Sequence, residues 1–183
     1  MSLNPHDGPT RRLFFALWPD EGIREELDRV SRHAVRKRGK RVRGENLHIT
    51  LAFIGQVPAD TASCLRQAAA EIRGQRFTLR LDRIGYWPRP RILWLGPSHT
   101  PAALRHLVGD LNRQLGQECG YTPEKRPWQA HVTLARKCTA SREEPTPQTV
   151  DWAVGHFSMV ESVTDPAGAR YRVLDSWPLV EAE

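Results

Sequence analysis

The sequence lacks any long hydrophobic run. No stretch of about 18 or more apolar residues occurs in the chain, whereas a membrane-spanning helix needs about 20, so we expect no transmembrane segment. The first ten residues, MSLNPHDGPT, have no apolar core and no small-residue cleavage pattern, which predicts that no secretory signal is present. Both absences favour a cytoplasmic protein.

Cysteine is scarce and irregularly placed. Cys64, Cys119 and Cys138 are the only three cysteines, and no two of them form a CxxC pair. An odd number of distant cysteines is not typical of a disulfide framework, and disulfides are rare in cytoplasmic proteins. We therefore predict three reduced thiols.

Several common catalytic signatures are also missing. The sequence contains no HExxH, no GxSxG, no P-loop and no GxGxxG, which argues against a zinc protease, a serine hydrolase and a nucleotide-cofactor enzyme. Catalytic zinc also needs about three protein ligands, and no such set is evident. The sequence therefore predicts neither a metal site nor a cofactor.

The overall composition is typical of a soluble globular domain with an excess of basic residues. The 183 residues are 39% hydrophobic and 26% charged, and the formal net charge is +6. This length suits one compact domain or two small lobes, and we assign residues 1–183 to a single two-lobed domain. The positive charge favours a polyanionic partner such as nucleic acid.

A five-residue phrase occurs twice. The chain reads HITLA at 48–52 and HVTLA at 131–135, which are 83 residues apart (131 − 48). Each copy ends a strand–helix–strand pattern, over about 11–55 and about 91–136, so the sequence predicts two related units. Additional strands are predicted at 76–87, 152–163 and 170–180, and a helix at 57–74, so the expected class is α+β with mainly antiparallel sheets.

Strand geometry separates each phrase into two faces. Residues two apart in a strand point the same way, so His48 lies beside Thr50 and His131 lies beside Thr133. The apolar residues of the same strands, including Phe53, are expected to face the core. Ala52 and Ala135 are expected to leave space beside the two polar pairs, and the two strands are expected to face each other across a cleft.

Two histidines and two threonines suit metal-free phosphodiester hydrolysis. Imidazole, with an ordinary pKa of about 6.5, can serve as a base in one copy and as an acid in the other. Threonine hydroxyls can donate hydrogen bonds to phosphate oxygens. Two strands that are alike only because both pack in a core would share the apolar residues. They would not also share His and Thr on the opposite face.

The segments RLFFALWP, NLHITLAFIG and RPWQAHVTLAR resemble the blocks of the RNA 2′,3′-cyclic phosphodiesterase family, also described as 2′-5′ RNA ligase-like, in the two-histidine phosphoesterase superfamily. The resemblance extends from about residue 11 to the C-terminal strand. It implies a bilobal fold with pseudo-twofold symmetry, outer helices and a central groove. It also implies hydrolysis of a terminal RNA 2′,3′-cyclic phosphate to a 2′-phosphate, and some members also join RNA 2′-5′ reversibly.

The resemblance further implies individual roles. His48 would be the proton donor, His131 the proton acceptor, and Thr50 and Thr133 would hold the phosphate. Arg136 matches a phosphate-contacting position, although strand alternation places it opposite His131 unless the strand ends or twists near residue 135. The expected protein is a monomer that acts on RNA with a cyclic phosphate end.

Other residues carry weaker expectations. The run RHAVRKRGKRVR at 32–43 is either a solvated helix end or a flank of the groove that follows phosphates. Trp128 is the tryptophan that we select for base stacking, and Phe15 is favoured over Phe14 as the aromatic of the first strand that faces the groove. The remaining histidines are expected to be surface or packing residues: His6, His33, His99, His106 and His156.

Two alternatives remain open at the level of sequence. The same chemistry could serve small cyclic nucleotides or 2′-5′ oligoadenylates. Alternatively, the two motifs could only grip phosphate, in which case the protein would bind RNA ends without catalysis.

Overall fold

A computed structural model describes residues 10–140, 148–165 and 168–181 of the chain. The strands and helices follow in this order: β1 (Arg11–Leu17), α1 (Glu21–Val35), β2 (Lys40–Arg41), a 3₁₀ helix (Gly44–Asn46), β3 (Ile49–Val57), α2 (Ala59–Ala70), β4 (Phe77–Leu81), β5 (Arg83–Trp87), β6 (Ile92–Gly96), α3 (Ala102–Cys119), β7 (Val132–Arg136), β8 (Val150–Val154), β9 (His156–Asp165) and β10 (Gly168–Pro178).

One large sheet organises the fold. Its strand order is β10-β9-β1-β3-β7-β6-β5, with β2 also paired to β7, and β4 and β8 form a separate pair. The pairings between these strands are antiparallel. The predicted α+β class with mainly antiparallel sheets is therefore confirmed.

The two repeated units meet at the centre of this sheet. β3 and β7 are joined through the single residue pair Ile49–Val132. Outward from this joint, β3 is followed by β1 on one side and β7 by β6 on the other, and α1 or α3 connects the two strands of each unit. This order is compatible with the two related lobes that the repeat predicts.

The sequence predicts a first helix over 20–38, with Asp20 as its cap and an apolar stripe of Ile23, Leu27, Val30 and Ala34, and α1 forms there. The Asp20 side chain accepts a hydrogen bond from the Ile23 backbone N–H at 2.9 Å, which satisfies one of the unpaired donors at the start of α1. Leu27, Val30 and Ala34 of the predicted apolar stripe are buried. The same core also receives the inner faces of α2 and α3.

Three boundaries differ from the sequence-based prediction. The stretch 76–87 is two strands in different sheets, β4 and β5, and Asp82 lies between them with its carboxylate accepting hydrogen bonds from Ser98. The sequence predicts that Gly55 ends the strand of the first motif, but Gly55 lies inside β3 at φ +88°. The sequence predicts Thr100 as the cap of the third helix and Pro101 as its first residue, but Pro101 occupies the N-cap position of α3.

The prediction of three reduced thiols is wrong. Cys64 on α2 and Cys119 at the end of α3 form a disulfide, with 5.9 Å between their Cα atoms, and Cys138 is a free, buried thiol. Sequence spacing could not reveal this pair because 55 residues separate the two cysteines. They meet only because α2 packs against α3.

Two sequence-based expectations concern parts of the chain outside the described ranges. The polar, proline-bearing stretch at 139–149 is predicted to be a loop, and its central residues 141–147 lie outside the described ranges. His6 lies outside them as well. Among the residues that are described, no helix is both long and apolar enough to cross a membrane.

Candidate active site

The two histidines lie at the joint between the repeated units. His48 directly precedes β3 and His131 directly precedes β7. In an antiparallel pair centred on Ile49 and Val132, positions 48 and 133 are neighbours, and so are positions 50 and 131. The two motifs therefore lie side by side in one sheet, and the expectation that they face each other across a cleft is wrong.

A backbone carbonyl orients each imidazole in the same way. Nδ1 of His48 lies 2.7 Å from the Asn46 carbonyl oxygen, and Nδ1 of His131 lies 2.9 Å from the Gln129 carbonyl oxygen. A carbonyl oxygen can only accept, so Nδ1 carries the hydrogen in both rings. Nε2 of a neutral ring is then a free base, and in His48 it lies 3.1 Å from the Thr50 hydroxyl, which can donate to it.

The surroundings of both rings favour the neutral form. Burial is the main cause that lowers the pKa of His48 to about 4, and the charges of His131 and Arg136 lower it further, against a raising effect of the hydrogen bond to Asn46. Burial also lowers the pKa of His131, and Arg136 adds to this effect, while the hydrogen bond to Gln129 opposes it. Both histidines are therefore uncharged at neutral pH in the free protein.

One groove collects all five of the predicted site residues. It has a volume of about 670 Å³, and its lining includes His48, Thr50, His131, Thr133 and Arg136. A groove of this size falls within the range of about 300–1,000 Å³ that is usual for small-molecule sites. The sequence motifs and the cavity thus identify the same place.

A β-bulge explains how Arg136 reaches the groove. Along β6 and β7, Trp94 pairs with Thr133 but the next pair is Leu93 with Ala135, so Leu134 is an extra residue on β7. An extra residue reverses the alternation of the strand. Arg136 consequently lies on the same side as His131 and Thr133, which is the change of direction that its predicted role requires.

The first motif has a bulge at the equivalent leucine. Ala16 pairs with Thr50 and Phe15 pairs with Ala52, so Leu51 is the extra residue on β3. The prediction that Phe53 faces the core is wrong, since it lines the groove and is 40% exposed. Ala52 and Ala135 are buried in the core and do not leave space beside the polar pairs.

Three aromatic side chains surround His48. Its ring stacks on Trp18 with centroids 5.4 Å apart and planes at 21°, contacts Phe14 at 4.9 Å and meets the edge of Tyr171 at 5.3 Å. The sequence does not point to Trp18 or Tyr171, because Trp18 directly follows β1, Tyr171 lies on β10 and neither belongs to a motif. The choice of Phe15 is also wrong, since Phe15 is fully buried and Phe14 lines the groove.

Trp87 takes the corresponding place beside His131. The two ring centroids are 4.6 Å apart at an interplanar angle of 75°. Trp128, which was selected for base stacking, instead donates its indole N–H to the Thr50 carbonyl oxygen at 3.0 Å and packs against the core. Trp128 thereby ties the segment before the second motif to the strand of the first.

One part of the basic run at 32–43 is a solvated helix end, and another part flanks the groove. Arg32 pairs with Asp28 one turn earlier on α1, as a solvated helix end would. Lys40, Arg41 and Arg43 line the groove, although Arg41 also pairs with Asp28.

The other histidines in the described part of the chain lie away from the groove. His33, His99, His106 and His156 do not line the groove. In residues 10–140, 148–165 and 168–181, no group of three or more His, Cys, Asp or Glu side chains is placed to hold a metal ion.

Sequence comparisons identify similar proteins. A family model described as LigT like Phosphoesterase matches residues 17–94, which include the first motif. The RNA 2′,3′-cyclic phosphodiesterase of Escherichia coli is 35% identical over 173 residues, covering 93% of this chain and 98% of the relative. The protein of the same name from Thermus thermophilus is 32% identical over 180 residues, covering 92% and 90%.

Structural comparison agrees with this. The crystal structure of Escherichia coli LigT complexed with 3′-AMP matches with a TM-score of 0.84 and 33% identity, and the match covers 94% of this chain and 100% of the other. The phosphodiesterase domain of MHV ns2 matches with a TM-score of 0.61 at 15% identity over 84% of this chain and 99% of the other, which is a likeness of fold alone.

Proposed function

Because the chain belongs to the RNA 2′,3′-cyclic phosphodiesterase family of LigT-like phosphoesterases, we propose that it hydrolyses a terminal RNA 2′,3′-cyclic phosphate to a 2′-phosphate. The observation that carries the proposal is the pair of HxT motifs, side by side at the central joint and opening into one groove. The cyclic phosphate binds over this joint.

The reaction needs one proton acceptor and one proton donor. Nε2 of His131 takes a proton from water, whose oxygen attacks the phosphorus. The bond from phosphorus to the 3′ oxygen breaks, and Nε2 of His48 gives that oxygen a proton, so the phosphate remains on the 2′ oxygen. Thr50, Thr133 and Arg136 bind the non-bridging oxygens, where charge increases in the transition state.

The hydrogen bonds and pKa shifts support this assignment in two ways. Nδ1 of each ring is already committed to a carbonyl oxygen, so Nε2 is the atom available for proton transfer in both. His131 is neutral at pH 7, as a base must be. His48 must acquire a proton to act as an acid, and a bound phosphate anion raises its pKa because the anion favours the imidazolium.

The proposal predicts loss of activity when either histidine is removed. An RNA that ends in a 2′,3′-cyclic phosphate is incubated with the protein in excess EDTA, and the products are separated as 2′- and 3′-phosphates. We expect the 2′-phosphate, and we expect His48→Ala and His131→Ala each to lower the rate by about 10²–10⁴-fold, the usual size for general acid–base groups.

His33→Ala is the matched control, because His33 is an exposed histidine outside the groove, and it should keep the full rate. Full activity in either groove variant, or a 3′-phosphate product, would contradict the assigned roles. Tight binding of the RNA without any product would favour a non-catalytic RNA-end binder. Activity that requires added zinc would favour a metal enzyme.

A monomeric state and a cytoplasmic location belong to the same proposal. RNA as the substrate supports the cytoplasm, whereas the Cys64–Cys119 disulfide runs against it, since disulfides are uncommon in reducing compartments. Alkylation of thiols in lysed cells tests the location. In a cytoplasmic protein, Cys64 and Cys119 should both be reduced and should both react with the alkylating reagent.

A further inference from the structure

The two carbonyl groups that orient the histidines belong to irregular parts of the chain. Asn46 ends a single 3₁₀ turn, Gly44–Asn46. Gln129 lies within residues 120–131, which are all described and form neither a helix nor a strand. Regular backbone hydrogen bonds fix the direction of a carbonyl in a helix or a sheet, so other contacts must fix these two.

A buried residue follows each of these carbonyl-bearing residues. Leu47 is 0% exposed and Ala130 is 1% exposed. The Ala130 carbonyl oxygen also packs against β6, 2.7 Å from the place of a Cβ added at Gly96. Burial fixes the depth of the chain at these points, but the preceding peptide can still rotate about its soft backbone dihedrals. Its direction therefore depends on a second contact.

Next to His48, the side chain of Asn46 makes this second contact. Its Nδ2 donates to the Ala169 carbonyl oxygen on β10 at 2.9 Å, while its own carbonyl oxygen accepts from Nδ1 of His48. Ala169 lies two residues before Tyr171, which meets the His48 ring. Asn46 thereby ties the orientation of His48 to the strand that carries one of its aromatic neighbours.

Next to His131, the indole of Trp128 makes the corresponding contact. Its Nε1 donates to the Thr50 carbonyl oxygen at 3.0 Å. Trp128 directly precedes Gln129, whose carbonyl oxygen accepts from Nδ1 of His131. Thr50 belongs to the first motif, so the segment that orients His131 is anchored on the other half-site.

The joint between the half-sites is short enough to depend on this anchor. β3 and β7 share the single residue pair Ile49–Val132, whereas β1 and β3 share seven pairs. Thr50 directly follows Ile49, so the indole N–H of Trp128 adds a hydrogen bond across the joint, past its one pair. One residue pair holds two strands together, and a second contact fixes the angle between them.

We propose that Asn46 and Trp128 are the positioning residues of the two half-sites. Asn46 fixes the carbonyl that orients His48, and Trp128 fixes the carbonyl that orients His131. The effect on rate rests on the proposed function. Neither side chain transfers a proton, but each keeps the hydrogen of its histidine on Nδ1, which leaves Nε2 as the atom for proton transfer.

The first test is spectroscopic and needs no substrate. Long-range ¹H–¹⁵N spectra of the free protein at about pH 8, where both imidazoles are neutral, show which ring nitrogen carries the hydrogen. In the wild type we expect Nδ1 in both rings. Asn46→Ala should shift the hydrogen toward Nε2 in His48 and leave His131 unchanged, and Trp128→Phe should do the reverse.

The second test is kinetic and uses the RNA with a 2′,3′-cyclic phosphate end. Each variant should lower kcat by about 10–100-fold and change KM by less than about threefold, because a displacement of about 1 Å in a reacting group costs up to this much. Such a split between kcat and KM distinguishes positioning of the histidines from weaker substrate binding.

Two matched controls make the same changes outside the groove. Asn112→Ala lies on α3 and Trp152→Phe on β8, and both should keep the wild-type kcat and the Nδ1 hydrogens. Trp152 is buried in the core, so its variant shows what lost packing does by itself.

A closer replacement isolates the hydrogen bond of Trp128. Benzothienylalanine at position 128 keeps the bicyclic shape of the side chain and has sulfur in place of the N–H. It should reproduce the kcat loss and the shift of the His131 hydrogen, and it also serves if Trp128→Phe does not fold.

The outcomes separate this inference from the proposed function. If the wild type does not hydrolyse the RNA, the proposed function fails, and the spectra still test the positioning roles. Unchanged Nδ1 hydrogens with unchanged kcat would overturn the inference, and so would kcat losses no larger than those of the controls. A raised KM with unchanged kcat in Asn46→Ala would also overturn the role of Asn46, because this groove-lining side chain would then bind the RNA directly.

Discussion

At the scale of single residues, the two histidines that we propose as catalytic have the same backbone geometry but different surroundings. Each donates from Nδ1 to a carbonyl two residues earlier. His48 is enclosed by Phe14, Trp18 and Tyr171, whereas the one ring contact found for His131 among the described residues is with Trp87. The sequence repeat makes the histidines look equivalent, and the aromatic residues make them different.

This difference predicts an acidic optimum for kcat/KM. The productive form has one imidazole protonated and the other neutral, so kcat/KM is highest between the two pKa values of the free protein. Both are lowered by burial, that of His48 to about 4 and that of His131 below 6.5. We therefore expect the optimum between about pH 4 and pH 6.5, with activity falling as the pH rises because the acid loses its proton.

A pH profile of kcat/KM, with ¹H–¹⁵N spectra of the two imidazoles in the free protein, checks this. The His48 resonances should titrate at lower pH than those of His131. An optimum above pH 7.5, or a His48 that titrates near 6.5, would show that burial does not control these groups.

At the scale of strands, a bulge after each HxT motif decides which residues enter the groove. Leu51 and Leu134 are equivalent in the repeat, and each is the extra residue of its strand. The alternation of side chains between the two faces reverses there, which brings Phe53 and Arg136 to the groove side. The bulge is therefore part of the repeat, and the position of Phe53 and of Arg136 in the groove depends on it.

Trp87 lies on the same strand as Gly85, β5, and both residues contact Trp94 on the neighbouring strand β6. A Cβ added at Gly85 would lie 2.1 Å from the Trp94 ring, and Trp94 contacts Trp87 with centroids 5.3 Å apart. We expect Gly85→Ala to lower the free energy of unfolding by about 1–3 kcal/mol, the usual cost of overpacking. kcat/KM should also fall, because Trp87 packs on His131.

Gly109→Ala is the control for this prediction. Gly109 is an exposed position of α3 with nothing within 4 Å of an added Cβ, so alanine there should raise stability by about 0.5–1 kcal/mol. Urea titrations of both variants, with assays at 25 °C, measure the two effects. A Gly85→Ala protein as stable as the wild type would contradict the close packing.

At the scale of the whole molecule, a covalent link lies away from the site. The Cys64–Cys119 disulfide joins α2, which follows the first motif, to α3, which precedes the second. Neither cysteine lines the groove. The disulfide therefore constrains how α2 and α3 pack together. The pairing of β3 with β7 depends on the sheet and not on the disulfide.

Removing this link should lower stability and leave catalysis intact. The closed loop spans 55 residues, for which loop entropy gives a stabilisation of about 4 kcal/mol as an upper value. We expect Cys64→Ser/Cys119→Ser to lower the midpoint of thermal unfolding and to retain kcat/KM at 25 °C. Reductant should lower the midpoint of the wild type and leave that of the double variant unchanged, and a wild type insensitive to reductant would contradict the prediction.

Much of the site could be predicted from the sequence because its signal is local. His48, Thr50, His131 and Thr133 follow from alternation within a few residues, and the structure places all four at one groove. The predictions for Phe53 and Phe14 are wrong because the direction of these side chains depends on the register and bulges of paired strands. The prediction for Trp128 is wrong because its indole N–H bonds to a strand far away in the sequence. Trp18, Trp87 and Tyr171 carry no motif and are recognisable only by their contacts with the rings.

The sequence by itself determined the two half-sites, the strand–helix–strand units that carry them and the α+β class, because periodicity and a repeated motif are properties of short segments. Only the tertiary structure decided that the half-sites join at Ile49 and Val132, that Arg136 turns inward, that Cys64 meets Cys119 and that part of the basic run at 32–43 lines the groove. These features depend on pairing between segments far apart in the chain, and no short segment encodes the position of its partner.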